Sequence, residues 1–171
     1  MSQAAGSAPE RRVTTRAFAA AKARGTPLVV STAYDALFAR LVDEAGVDAI
    51  LVGDSLGNVV AGYDTTVPVT LDQMIYHGAA VRRGTRRALV VVDMPFLTTQ
   101  VSTERALLNC GRVMQETLCD AVKLEGGRGP IAERIARLVA AGVPVMGHVG
   151  MTPQTGGTAG FGTQGADIDS A

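Results

Sequence analysis

The sequence predicts an α/β fold of repeated β/α units, and within that class a (β/α)8 barrel. Three observations carry this reading. Short runs rich in Val, Ile and Leu alternate with longer segments of helical period. Most of those runs are continuously apolar, as strands buried on both faces of a parallel sheet are. Polar residues then follow several of the runs in the same relative place, which suits a site gathered at the C-terminal face of a barrel. A doubly wound sheet would carry G-x-G-x-x-G after its first strand. That place holds Ser31-Thr32-Ala33-Tyr34-Asp35, without a glycine.

A first helix is predicted over roughly Thr14 to Ala23. The strand-like runs are Leu28-Val29-Val30, Ala49-Ile50-Leu51-Val52, Ala88 to Val92, Ala121 to Leu124, and Val143-Pro144-Val145-Met146. Between the first two, Leu37, Phe38, Leu41, Val42 and Ala45 recur at helical spacing and Gly46 stops them. Thr70 and Gln73 form a capping box opening a helix through about Val81. Pro130 suits the first turn of a helix carrying Ile131, Ile135, Leu138 and Val139, which Gly142 ends. Asp167 to Ala171 reads as the acidic first turn of another helix. Five strand–helix steps result, so residues 13–171 are expected to be the N-terminal portion of a single barrel domain. Residues 1–12, small and polar at the start and without an apolar stretch, are expected to be a disordered leader and not a secretory signal.

Composition narrows the function. The 171 residues are 47% hydrophobic, enough for one domain with a core. Sixteen basic and sixteen acidic residues cancel, and no long basic run suggests nucleic acid. Arg82-Arg83 and Arg86-Arg87 read as a solvated face complementing a helix C-terminus. No stretch approaches the ~20 apolar residues that cross a bilayer. Cys110 and Cys119, nine positions apart on one predicted helix, fall on opposite faces. They read as reduced structural thiols of a cytoplasmic protein.

The chemistry lies where the runs end: Gly53-Asp54-Ser55, Asp93-Met94-Pro95, Lys123-Leu124-Glu125-Gly126-Gly127 and Gly147-His148-Val149-Gly150. A carboxylate directly after an apolar strand is costly unless it meets a metal, a cation or solvent. One alone is a turn or capping residue; Asp54, Asp93 and Glu125 on successive parallel strands converge on one mouth. Oxygen ligands without His or Cys pairs favour Mg²⁺. Such an ion holds a 2-oxo acid, polarises its carbonyl and acidifies the adjacent C–H. Lys123 supplies positive charge, or pairs structurally with a carboxylate; Ser55 and His148 orient substrate oxygens. For Gly126-Gly127 a plain turn competes with anion binding.

From about Thr26 to Gly165 the sequence resembles the ketopantoate hydroxymethyltransferase family. The matching blocks include Thr32-Ala33-Tyr34-Asp35, Leu51 to Ser55, Gly62 to Thr70, Tyr76-His77 and Ala80 to Gly84. Asp93 to Phe96, Val122 to Gly127 and Gly147 to Gln154 continue them. The resemblance implies a (β/α)8 barrel of the phosphoenolpyruvate-binding group, usually a homodecamer in the cytoplasm. It implies transfer of a one-carbon unit from 5,10-methylenetetrahydrofolate to 3-methyl-2-oxobutanoate, giving 2-dehydropantoate, the first step of pantothenate synthesis. By resemblance Asp54, Asp93 and Glu125 form the Mg²⁺ site, while Asp54, Ser55, Asp93, Lys123 and His148 bind the oxo acid. The family's general base is a glutamate ending a sixth strand, and no residue of this chain matches it, so no catalytic base is assigned. Gly160 to Gly165 resembles a family segment that commonly carries basic residues; Gly162, Thr163 and Ala166 stand here, and the run Gly156 to Gly165 is expected to be a mobile lid. A lyase or mutase of the same barrel group, and a catalytically inactive fragment, are the alternatives weighed beside the transferase.

Overall fold

A computed structural model describes residues 11–156; the expected leader before Arg11, the glycine-rich run beyond Gly156 and the acidic segment 167–171 lie outside the described residues. Five strands, β1 (Val30–Thr32), β2 (Ala49–Val52), β3 (Leu89–Asp93), β4 (Ala121–Glu125) and β5 (Val145–His148), form one sheet in chain order. Every neighbouring pair is parallel. Sequential order is the winding of a barrel; a doubly wound sheet reverses at a switch point. The described part is therefore the first five β/α units of a (β/α)8 fold.

The helices are α1 (Thr15–Ala23), α2 (Ala36–Glu44), α3 (Leu56–Val59), α4 (Leu71–Gly84), α5 (Thr103–Thr117), α6 (Pro130–Ala140) and α7 (Pro153–Gly156). The starts of α1, α2, α4 and α5 are set by side chains that accept from orphan backbone N–H groups. Thr14 accepts from Ala17, Asp35 from Phe38 and Ser102 from Arg105. Thr70 and Gln73 form both halves of the expected capping box. Pro130 sits in the first turn of α6 and Gly142, at φ +89°, turns the chain after it.

Pleating divides the strands between two layers. Ile50, Val52, Val90, Val92, Val122 and Leu124 pack with Ala39, Met74, Val81, Cys110, Val113 and Leu138 of the helices. Each fully buried Val or Leu there contributes about 1.5–3 kcal/mol. The alternate positions Ala49, Leu89, Val91 and Ala121 form a second cluster with Leu51, Met146, Val13 and Phe18. Phe18 comes from α1, and Val13 N–H donates to Arg87 O just before β3 (2.8 Å). Thus α1 covers the N-terminal end of the inner face, and the opposite end is left for the site.

Several boundaries differ from the sequence expectation. β1 and β5 start two residues later than their apolar runs. The N–H of Val29 is taken by the Asp48 carboxylate (2.9 Å), and Pro144 has no N–H to give a ladder. α3, four residues long, is too short for a periodic signature. Cys110 and Cys119 do not share a helix: α5 ends at Thr117, Leu118 takes a left-handed conformation (φ 57°), and Cys119 lies in the connection before β4. Both thiols are free and buried, and burial pushes that of Cys110 up to about 12. Arg87 is not part of a solvated face: its guanidinium donates to the carbonyls of Gly46 and Val47 at the end of α2. Among the described residues no helix is long and apolar enough to cross a membrane.

The turn into β3 is held by one carboxylate. Asp43 of α2, buried, accepts from the backbone N–H groups of Arg86, Arg87 and Ala88 at 2.7–3.2 Å. Asp43→Ala strands three donors, and the expected loss is about 2–4 kcal/mol by chemical denaturation. A loss below about 0.5 kcal/mol would show that the turn holds itself.

Candidate carboxylate site at the strand ends

The site follows from register. In the β3–β4 ladder Asp93 is the partner of Lys123, and in the β4–β5 ladder Glu125 is the partner of His148. Lys123 and Glu125 are two apart on β4, so they share a face. Asp93, Lys123, Glu125 and His148 therefore continue the inner face of Leu89, Val91, Ala121 and Met146 beyond its apolar layer. The sequence reading put the carboxylates just past their strands; Asp93, Glu125 and His148 are the last strand residues instead. Asp54 lies two residues past β2, in the turn that opens α3.

Contacts join these side chains. Lys123 Nζ meets Asp93 Oδ1 at 2.5 Å. The other Asp93 oxygen accepts from the backbone N–H of Asp54 (3.2 Å). Gly53 leaves room for this approach: a Cβ there would stand 2.9 Å from Ser55 Oγ, which would have to rotate away, and 3.5 Å from Asp93 Oδ2. His148 Nδ1 lies 3.4 Å from Glu125 Oε1 without hydrogen-bond alignment, and it has no hydrogen-bond partner among the described residues. Ser55 Oγ is 3.0 Å from Tyr34 OH, and the Tyr34 carbonyl is 2.6 Å from His77 Nδ1.

The structure thus brings all six expected residues to one mouth. It also adds residues that the sequence reading did not single out. Gln154 of α7 donates from Nε2 to Asp54 Oδ2 (2.8 Å) and to Met94 O (2.9 Å), and its backbone N–H reaches Glu125 Oε2 (3.2 Å). Gln100 donates to its carbonyl oxygen (3.2 Å). Tyr34 was visible as a residue following a strand; nothing in the spacing marked Gln154, which folds back from six residues beyond β5. Gly126, at φ +104°, makes the turn after β4, the plain-turn reading of the glycine pair.

Three carboxylates face one lysine, and burial dominates the behaviour of Asp93 and Glu125. Asp54, Asp93 and Glu125 are 4%, 4% and 9% exposed. Burial pushes Asp93 up to about 6, against the opposing pull of Lys123. Burial likewise pushes Glu125 up to about 7, opposed by the Gln154 N–H. His148 is held below its usual range, first by burial and then by the charge of Lys123. Among the described residues no three His, Cys, Asp or Glu side chains already stand as a cage for a metal ion. Lys123 and Gln154 occupy the carboxylate oxygens instead.

Fold and site together define a β/α-barrel protein with a buried acidic mouth at the C-terminal ends of its strands. The chain belongs to the ketopantoate hydroxymethyltransferase family, whose model matches residues 12–171. It is 56% identical over 150 residues to the 3-methyl-2-oxobutanoate hydroxymethyltransferase of Synechocystis sp., covering 88% of this chain and 58% of that protein. With the same enzyme of Chlorobaculum tepidum it is 54% identical, over 84% of this chain and 53% of the relative. The chain thus spans somewhat more than half the length of these curated relatives. Among solved structures, phosphonopyruvate hydrolase in complex with oxalate and Mg²⁺ aligns at a TM-score of 0.62 and 14% identity, over 77% of this chain and 50% of that one. A 2,3-dimethylmalate lyase of the PEP mutase/isocitrate lyase superfamily aligns at 0.57 and 16%, over 77% and 51%. At such identities the likeness is one of fold.

The raised carboxyl values fix a pH dependence. A folded pKa above the unfolded one gives stability that is full below the unfolded value and lost as pH rises through the folded value. For Asp93 and Glu125 that window runs from about pH 4, the unfolded range, to about 6 and about 7. In chelator, thermal stability is expected to fall across it, and Glu125→Gln is expected to flatten the upper part. His148 acts oppositely below its usual value, so His148→Asn serves as the control. A flat profile for the unmodified chain would refute the burial argument.

Proposed function

We propose that this chain carries the metal- and oxo-acid-binding part of a hydroxymethyltransferase that converts 3-methyl-2-oxobutanoate to 2-dehydropantoate with 5,10-methylenetetrahydrofolate. The observation that carries the reading is the convergence of Asp54, Asp93 and Glu125 beside Lys123, in a chain of this family. The donor set fits Mg²⁺: its anionic donors are carboxylate oxygens, and two of them are pushed upward by burial with too little positive charge nearby. Asp54 and Asp93 would hold the ion, with Glu125 as an outer member acting through water. When bound, Mg²⁺ supplies Lewis acidity that polarises the keto group and acidifies the adjacent C–H.

The chain's own residues do the rest. Lys123 faces the growing negative charge on the keto oxygen. Ser55, backed by the Tyr34 hydroxyl, donates to a substrate oxygen. His148, kept neutral at pH 7 by burial and by Lys123, lies beside Glu125 where an oxo acid would enter. Overall the C3 proton is lost, a C–C bond forms to the one-carbon unit, water supplies the hydroxyl oxygen and tetrahydrofolate leaves. Proton abstraction is assigned to no residue within 11–156. Exposed Leu37, Phe38 and Leu41 on α2 support a homo-oligomer, with a decamer as the assembly proposed. The two free, buried thiols support a reducing, cytoplasmic setting.

Calorimetry tests the part this chain carries. Binding of 3-methyl-2-oxobutanoate is expected to require Mg²⁺. Asp93→Asn is expected to cost more than the roughly 10–100-fold typical of an outer-shell partner. Mg²⁺-dependent exchange of the C3 proton in deuterated water, without folate, and turnover with 5,10-methylenetetrahydrofolate test the chemistry. Equal oxo-acid affinity with and without Mg²⁺ would overturn the reading.

A further inference from the structure

Gln154 is 5% exposed and every polar atom of its side chain is engaged. The polarity of that network can be read from one end to the other. Thr99 N–H, which can only donate, bonds Gln100 Oε1 (3.1 Å). Gln100 therefore presents its nitrogen to Gln154 Oε1. Gln154 in turn presents its nitrogen to two groups that only accept, the Asp54 carboxylate and the Met94 carbonyl. No member of the chain can invert its amide without setting two donors or two acceptors against each other. A buried polar chain satisfied at each link is rigid, and its cost when broken is that of an unpaired buried group.

This chain ends on Asp54, and Asp54 differs from its neighbours. Asp93 is the last residue of β3 and Glu125 of β4, so ladders fix both backbones. Asp54 stands outside β2, in a turn, where no ladder sets its carboxylate. A donor fixed on one carboxylate oxygen fixes the direction of the other. The same residue grips Glu125 through its backbone N–H, so one short segment after β5 holds two of the three carboxylates in relation to each other.

We propose that Gln154, oriented through Gln100 and Thr99, is the positioning residue for Asp54, aiming its other carboxylate oxygen into the mouth and tying the segments after β3 and β5 across the site. The role rests on the metal reading only for its consequence in cation affinity; the amide–carboxylate link itself does not. It assigns Gln154 no contact with substrate and no part in proton transfer.

The test compares Mg²⁺ affinity by calorimetry in the unmodified chain, Gln154→Leu and Gln100→Leu, with melting in chelator as the folding control. Gln154→Leu is expected to weaken Mg²⁺ binding about 10–100-fold. Gln100→Leu, which touches no carboxylate but removes the donor that holds the Gln154 amide oxygen, is expected to weaken it less and in the same direction. Unchanged or tighter binding in folded Gln154→Leu would overturn the proposal, because the amide would then be a spectator or a competitor. A second readout separates this inference from the metal reading. In metal-free protein, Asp54→Asn is expected to shift the Gln154 side-chain amide resonances and speed their hydrogen exchange. If the unmodified chain binds no Mg²⁺ yet this shift is seen, the metal reading falls and the positioning role stands; if the amide ignores Asp54→Asn, the positioning role falls whatever the metal does.

Discussion

The parallel register of β3, β4 and β5 is the constraint on which the rest depends. Asp93 opposite Lys123 and Glu125 opposite His148 put four polar side chains on one face at two successive levels. Side chains alternate with a period of two, so a slip of one residue would send Lys123 into the helix-facing layer and Leu124 into the mouth. Leu124 is 1% exposed among Val92, Val122 and Leu138 and their neighbours, and that layer has no place for an ammonium. The apolar outer layer thereby fixes the register, and the register delivers the site. Phe18 of α1 closes the far end of the inner face, so the polar layer stands at the opposite end.

Charge then sets what this layer can do. Taking three carboxylates out of water is expensive, and one lysine returns only part of the cost. The upward displacement of Asp93 and Glu125 expresses the remainder. The molecule offsets it with neutral donors aimed at the acids: the N–H of Asp54 on Asp93, and both the amide and the backbone N–H of Gln154 on Asp54 and Glu125. These bonds hold the oxygens without neutralising them. The proposed hard dication would supply the charge that hydrogen bonds cannot.

Much of this was legible in the sequence, for reasons that differ by residue. The alternation of apolar runs and helical periods fixed the fold class, and Thr70 with Gln73 marked a helix start to the residue. Asp54, Asp93, Lys123, Glu125 and His148 stood out because polar residues ending apolar runs demand an explanation. The shifts of β1 and β5 were not legible, since a ladder's ends are decided by which N–H groups neighbouring strands and Asp48 leave free. The separation of Cys119 from α5 turns on Leu118, a left-handed residue that no composition rule would choose. Gln154 was hidden for a third reason: its partners are 100, 60, 54 and 29 positions away along the chain, and only tertiary folding brings an unremarked amide to a carboxylate.

The two kinds of residue point to a division of labour. Asp93, Lys123, Glu125 and His148 are placed by the sheet, which cannot shift them without breaking its core. Asp54, Ser55, Tyr34 and Gln154 stand outside the sheet, and hydrogen bonds hold them: Ser55 by Tyr34, Tyr34 by His77 of α4, Asp54 by Gln154. Turns have fewer fixed contacts than strands and open at lower free energy. The mouth therefore has a half fixed by the sheet and a half that depends on its own hydrogen-bond network. The first half fixes where the charges stand, and the second keeps its geometry only while the Gln100–Gln154–Asp54 chain and the Tyr34–Ser55 contact are intact.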